Sequence, residues 1–269
     1  MNQELIRDYE FKKKFGQNFL KDENILRNIV DKSETDEDTL VIEIGIGAAY
    51  LTYYLSKKAK HVLGYEIDNS LKNIIDNQLK DISNVEIIYK DFLKSTPIED
   101  IKKYDYKKIY VVANLPYYIT TPIITKLIGD KIPVEKIVVM VQKEVGDRFN
   151  AKPNSKEYNS LTIFLNYYFD IKKIMDVSRN CFIPKPNVDS AIIEFRRKTQ
   201  KYNVLNEENF FKLVRDSFRF KRKNIRNNLK SYDLEKVEEV LKKYNKDLTT
   251  RAEELELNIF IDLADVLNK

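Results

Sequence analysis

The sequence predicts an α/β protein: a mostly parallel sheet of seven strands, followed by a small all-helical C-terminal domain. Three observations carry this. Short apolar runs such as Leu40-Val41-Ile42, Ile109 to Ala113 and Ile137 to Val141 recur, separated by helical or turn patterns. Such runs suit strands buried on both faces. The first of them runs into Gly45-Ile46-Gly47-Ala48-Ala49 and then a helical pattern, the opening of a nucleotide-binding unit. Beyond about residue 200 the strand pattern stops and helical periodicity takes over, which places the domains at 1–200 and 201–269.

Taken in order, residues 1–20 hold Lys12-Lys13-Lys14 followed by Phe15-Gly16-Gln17-Asn18-Phe19-Leu20, a poor helix and a plausible ordered arm. Its lysines suit phosphate, and its polar and aromatic residues suit the wall of a pocket. A helix follows over about 22–31, with Asp22 as its cap. Residues 39–45 are the first strand and about 50–57 the next helix. Glycines let backbone approach a ligand closely, and a helix start offers free N–H groups. Tyr50 stands where a dinucleotide fingerprint has its third glycine, which argues against NAD.

The second strand, 61–66, ends at Glu66, 21 residues after Gly45 and suited to ribose hydroxyls. Asp68 can cap the next helix. The third strand, 85–89, ends at Lys90-Asp91, where Asp91 can accept from an adenine amine or simply close a turn. The fourth ends at Asn114-Leu115-Pro116-Tyr117-Tyr118. Proline cannot donate to a sheet ladder, so Pro116 stops that strand. An amide matches the donor–acceptor edge of adenine, and a tyrosine ring offers a base a stacking face. Gly45, Glu66, Asp91 and Asn114 therefore close four successive strands along one sheet edge, where open α/β sheets hold ligands.

The fifth strand is 136–142 and a helix follows over about 143–149. Residues 161–169 form a helix expected to pack on the sheet, its aromatics serving as core. Residues 171–177 and 189–195 are the sixth and seventh strands, expected antiparallel to each other. A Pro184-x-Pro186 loop between them holds Phe182 near its start. From 212 to 230 there are eight basic residues against Asp216 alone, on an expected helix with Phe211, Val214, Phe218, Ile225 and Leu229 as its apolar face. Arg219, Lys221, Arg222, Lys223 and Arg226 read as a phosphate-tracking surface. Two more amphipathic helices fill 233–269.

Composition narrows the classes. The net charge of +5 is modest, so only local clustering argues for nucleic acid. One cysteine, Cys181, forbids an intrachain disulfide, and with one histidine, His61, a Cys/His zinc site is excluded. No apolar run approaches ~20 residues, the length of a membrane span. The first 30 residues carry both charge signs and no signal-like apolar stretch, so the chain reads as cytosolic.

Several stretches, in order, resemble one family. They are Phe15 to Leu20, Glu43-Ile44-Gly45-Ile46-Gly47, Asn114 to Pro122, Phe182-x-Pro184-x-Pro186-x-Val188-Asp189-Ser190-Ala191, Arg222 to Asn227 and Arg251-Ala252-Glu253-Glu254-Leu255. The chain resembles the S-adenosylmethionine-dependent ribosomal RNA adenine dimethyltransferases over nearly its whole length. Leu115, Tyr118, Thr120-Thr121-Pro122 and 251–255 look like the housekeeping branch, which modifies small-subunit RNA. Alternatives are the erythromycin-resistance branch acting on large-subunit RNA, a non-catalytic assembly factor, and a DNA adenine methyltransferase. The family usually has glycine where Ala49 stands and often proline at Ile46.

The resemblance implies the Rossmann-like methyltransferase fold and S-adenosyl-L-methionine as cofactor. Its methionine part would lie against Asn18, Leu20 and Gly45, its ribose on Glu66 and its adenine amine on Asp91. It further implies that Asn114 and the Leu115 carbonyl hold the N6 amine of the target adenine, with Tyr117 stacked on the base and Phe182 over the other face. The substrate would be two adjacent adenines of small-subunit ribosomal RNA, each dimethylated, with a role in ribosome biogenesis. Lys12, Lys13, Lys14 and the basic cluster would hold the RNA backbone. A positive sulfonium becomes a neutral thioether, so no metal is expected. No membrane is expected either, and a monomer is the family default.

Overall fold

A computed structural model describes residues 6, 9–12, 15–116, 119–199 and 202–268. The chain forms two compact units: Met1–Gly146 with Lys172–Arg197, and Asp147–Ile171 with Lys198–Lys269. The expected break near residue 200 is thus one of several crossings. Residues 147–171 belong with the C-terminal helices, and 172–197 return to the first unit.

The first unit is built on a seven-stranded sheet. Its strands are β1 (Thr39–Ile44), β2 (His61–Tyr65), β3 (Val85–Ile88), β4 (Lys108–Asn114), β5 (Lys136–Gln142), β6 (Phe169–Val177) and β7 (Ser190–Arg197). Their spatial order is β3-β2-β1-β4-β5-β7-β6. The pairs β1/β2, β2/β3, β1/β4 and β4/β5 are parallel, while β7 runs antiparallel to β5. All six residues of β1 are buried, as a strand covered on both faces must be. Strand order reverses between β1 and β4, so the ends of those two neighbours flank a crevice at the switch point of the sheet.

The helix Glu23–Ser33 begins at Asp22, whose carboxylate accepts from the N–H groups of Asn24 and Ile25. A cap of this kind is worth about 1 kcal/mol. The helix ends at Glu34 in left-handed geometry. There the buried Lys136 of β5 donates to the Ser33 carbonyl (2.8 Å) and pairs with Glu34. Arg196 of β7 reaches the same carboxylate at 2.9 Å, and together the two cations hold Glu34 down to about 2.

In the second unit, helices Ser160–Tyr168, Glu207–Ser217, Leu234–Lys243 and Leu257–Leu267 enclose a core that includes Tyr167, Phe210, Val237, Leu241, Phe260 and Leu263. The helix 160–168, expected on the sheet, belongs to this core instead. The ring of Tyr167 lies 5.0 Å from that of Phe210. The basic segment differs from expectation as well. Its helix stops at Ser217, a turn covers 218–224, and a short helix follows at Ile225–Asn228. Apart from Phe220, the apolar residues of 210–229 still point inward, and half of the eight basic residues of 212–230 sit on the turn.

Candidate functional site

A cavity of about 300 Å³ opens at the carboxyl edge of β1 to β4. Its walls include Asn18, Leu20, Gly45, Glu66, Asp91, Asn114 and Leu115, so residues from five separate stretches of chain meet at one place.

The turn after β1 sets its floor. Gly45 and Gly47 take φ values of +77° and +59°, open to glycine at little cost. A β carbon at Gly47 would lie 3.0 Å from the Phe19 ring, so the arm packs directly on this turn. Ala49 shares the left-handed geometry (φ +60°), which a glycine would adopt at less cost. Gly64, in the middle of β2, has a packing reason. A β carbon there would sit 2.4 Å from Cδ1 of Ile46 and 2.7 Å from that of Ile87. The side chain of Ile46 thus lies across bare backbone.

Glu66, 5% exposed, is held by both carboxylate oxygens: Oε2 accepts from the Gly47 N–H (2.9 Å) and Oε1 from the Asp68 N–H (2.8 Å). Burial pushes its carboxyl upward, and the backbone N–H groups oppose that. Asp91 accepts from the Leu93 N–H (3.0 Å), capping the turn Phe92–Lys94, and remains partly exposed on the cavity wall. Asn114 donates from Nδ2 to the Asn18 carbonyl (3.0 Å), which ties the arm to the end of β4. Because a carbonyl can only accept, this bond assigns the nitrogen of the amide and turns Oδ1 the other way. Asn18 in turn donates from Nδ2 to the Gly16 carbonyl (3.1 Å).

Leu115 is buried and lines the cavity. Phe182 is 2% exposed and is not part of the wall. It pairs with Leu20 in a two-residue antiparallel ladder, Phe19–Leu20 against Phe182–Ile183, and packs in the core behind the arm. The ring expected to cover a target base therefore backs Leu20 instead. Tyr117, Lys13 and Lys14 lie outside the described residues.

Lys12 is not free for RNA. Its ammonium donates to Asp68 (2.8 Å) and Ser70 (2.6 Å), while Gln17 Nε2 and the Tyr9 hydroxyl donate to the same carboxylate at 3.0 and 2.9 Å. Burial alone would raise the Asp68 carboxyl, but hydrogen bonds from Lys12, Ser70 and Tyr9 outweigh it and hold it well below the usual range. Asp68 is thus the anchor of the arm as well as a cap. Arg219, Lys221, Arg222, Lys223 and Arg226 are exposed, all within the second unit.

Glu43 escaped the sequence reading. It is 1% exposed in the middle of β1 and lines the cavity, and its Oε2 has no hydrogen-bond partner. Burial pushes its carboxyl up to about 8, and the neighbouring Glu66 adds to that. The signal was present: an acid between Ile42 and Ile44 in an otherwise apolar strand.

The arrangement suits a nucleoside ligand with little negative charge. An acid sits at ribose distance along the edge from a glycine turn, a second acid lies beyond it, and an amide stands at the far wall.

Comparison with known proteins agrees. The family model "Ribosomal RNA adenine dimethylase" matches residues 9–269. A Ribosomal RNA small subunit methyltransferase A from Bacillus pumilus is 46% identical over 99% of this chain and 95% of its own. A dimethyladenosine transferase from Plasmodium falciparum superposes with a TM-score of 0.77 at 26% identity, over 91% of this chain and 95% of that one. The 23S rRNA methyltransferase ErmE reaches a TM-score of 0.76 over 93% of this chain and all of its own, at 24% identity, a likeness of fold alone.

Proposed function

This chain belongs to the ribosomal RNA adenine dimethylase family, and from that premise we propose that it is an S-adenosylmethionine-dependent enzyme that dimethylates adenine N6 in small-subunit ribosomal RNA. The observation that carries the reading is the meeting of Gly45, Glu66, Asp91 and Asn114 around one cavity. The donor set fits the cofactor. Glu66 is fixed from behind by two N–H groups and keeps lone pairs for ribose hydroxyls. Asp91 spends one oxygen on its own turn and has another for an adenine amine. The glycine turn and the arm at Asn18 and Leu20 leave room for a methionine tail. When bound, S-adenosylmethionine supplies a methyl group on a positively charged sulfur.

The protein's part in the reaction is positioning. Asn114 Oδ1 and the Leu115 carbonyl accept the two hydrogens of the target amine. That amine is a poor nucleophile while its lone pair is delocalised into the ring. Two acceptors set out of the ring plane draw its hydrogens aside and aim the lone pair at the methyl, an effect of orientation and fixed dipoles. Tyr117 gives the base a stacking face. Phe182 serves by holding Leu20 in place. The first unit carries cofactor and chemistry, and the second holds RNA through its basic turn. The proposed setting is the cytoplasm during small-subunit biogenesis, with the enzyme acting as a monomer.

The test is methyl transfer from labelled S-adenosylmethionine to unmethylated small ribosomal subunits, with large-subunit RNA in parallel and mapping of the product. Dimethyladenosine in small-subunit RNA is the expected result. Product confined to large-subunit RNA would overturn the choice of substrate, and no product in either would overturn the enzyme.

A further inference from the structure

We propose that Phe220 is a stacking platform for one unpaired RNA base, set at the centre of the basic turn. The proposal rests on the reading of the second unit as RNA-binding and adds a contact that phosphate tracking does not require.

Phe220 is 54% exposed, the only exposed phenylalanine among the described residues. A single exposed apolar side chain is ordinary by itself. Three further observations set this one apart. First, its backbone is fixed. The buried Asn228 accepts from the Phe220 N–H (3.1 Å) and donates to the Phe220 carbonyl (3.3 Å), which also accepts from the Lys223 N–H (2.8 Å). The turn is pinned again where the Ile225 N–H donates to the Thr250 carbonyl (2.8 Å) and the Arg226 N–H to the Leu248 carbonyl (3.0 Å). Phe218, two residues earlier, packs inward against Phe260 at 5.8 Å, so the turn presents Phe220 outward. A platform held this way loses little entropy on binding.

Second, the Arg219 guanidinium lies over the ring, 5.5 Å from its centroid. A cation on one face and a base on the other is an arrangement that single-strand-binding surfaces use. Third, the surrounding charge is only partly compensated: Asp216 and Asp247 interact at longer range with Arg219 and Arg226. Arg219, Arg222, Lys223 and Arg226 form no ion pair among the described residues, and the nearby Asp216 is engaged by Lys212 (3.2 Å) and Tyr232 (2.6 Å). The cations are therefore available to the phosphates flanking a stacked base. The ligand class is a single-stranded ribonucleotide segment, since a base within a duplex is already stacked on both faces.

The experiment compares binding of the full chain to a labelled 15-nucleotide oligoadenylate and to its duplex with oligouridylate, across a range of salt. Variants are Phe220→Ala, Phe220→Leu, Phe220→Trp and the double substitution Arg222→Ala with Lys223→Ala. Loss of one stacked base predicts that Phe220→Ala and Phe220→Leu weaken single-strand binding about tenfold, with the salt slope and duplex affinity unchanged. Phe220→Trp keeps single-strand affinity, which separates loss of the ring from loss of fold. The double basic variant weakens both ligands and flattens the salt dependence. Wild-type single-strand affinity in Phe220→Ala or Phe220→Leu, with the basic variant impaired, would overturn the platform and leave the RNA surface standing. Wild-type affinity in the basic variant would overturn the RNA surface itself, and the platform with it.

Discussion

Replacing Asn114 removes two interactions that act at different stages. The bond from Nδ2 to the Asn18 carbonyl holds the arm against the cofactor cavity. Losing one such bond costs about 1 kcal/mol, or roughly fivefold in cofactor affinity if all of it falls on the arm. In the proposed mechanism the Oδ1 contact is made to the target amine and strengthens in the transition state. Losing a preorganised contact of that kind costs roughly 10²- to 10³-fold in kcat. Asn114→Ala should therefore bind S-adenosylmethionine about fivefold more weakly by calorimetry and lose kcat far more steeply in single-turnover methyl transfer. Asn114→Asp sharpens the test. A carboxylate would face the Asn18 carbonyl, two acceptors without a proton between them, at a further cost of about 1–3 kcal/mol. It should bind cofactor more weakly than the alanine variant. If Asn114→Ala keeps kcat within about tenfold of wild type, the positioning role fails. If Asn114→Asp binds cofactor as well as wild type does, the tether fails.

Other substitutions probe the frame around the site. Glu43, raised to about 8, holds a proton in the folded state that the unfolded chain releases near pH 4.3, so this group makes stability fall as pH climbs between those values. Glu43→Gln should flatten that decline in urea unfolding followed from pH 5 to 8, and parallel profiles for the two proteins would rule the assignment out. Asp68 has the opposite sign: its depressed carboxyl stabilises the fold above its unfolded value near pH 3.9, and that support is lost as pH falls through the folded value. Asp68→Asn should cost about 2 kcal/mol at neutral pH, shrink the acid limb of the stability profile and weaken cofactor binding through the arm; an unchanged acid limb would refute it. Gly64→Ala should destabilise by about 1–3 kcal/mol through the clash with Ile46, and Ile46→Ala in the same chain should recover part of it. Additive effects in that double-mutant cycle would mean the two side chains do not meet.

The strands and their polar ends were legible because each rests on local pattern. An apolar run bounded by glycine, acid or proline needs no knowledge of distant residues, and parallel order brings such ends to one edge. What was hidden depends on partners far away in sequence. Lys12 looked like one of three equivalent arm lysines, yet Asp68, 56 residues on, claims it. The helix 160–168 is apolar enough to lie on a sheet or in a bundle, and only the aromatics after 200 decide between them. The basic segment kept its helical spacing of apolar residues while its backbone broke at Ser217, because Asn228 offers the turn the hydrogen bonds a helix would have supplied. Phe182 carries a familiar motif, and its burial behind Leu20 is set by a two-residue ladder too short to show in any periodicity.

The interleaving of the two units bears on how the chain is born. β7 fills the place beside β5 through seven antiparallel residue pairs, and it is made last of all the sheet. Until then the edge of β5 stands open, a template for wrong partners. The helix 160–168 is made before β7 and waits for Phe210 and the helices beyond to cover Tyr167. Neither unit can finish before the chain has begun the other. Scissors at residue 200 would not separate them. A fragment 1–200 would keep a helix without its core, and a fragment 201–269 would keep a core without one of its walls. Dissection into independent pieces has to cut the chain in three places, after residues 146, 171 and 197.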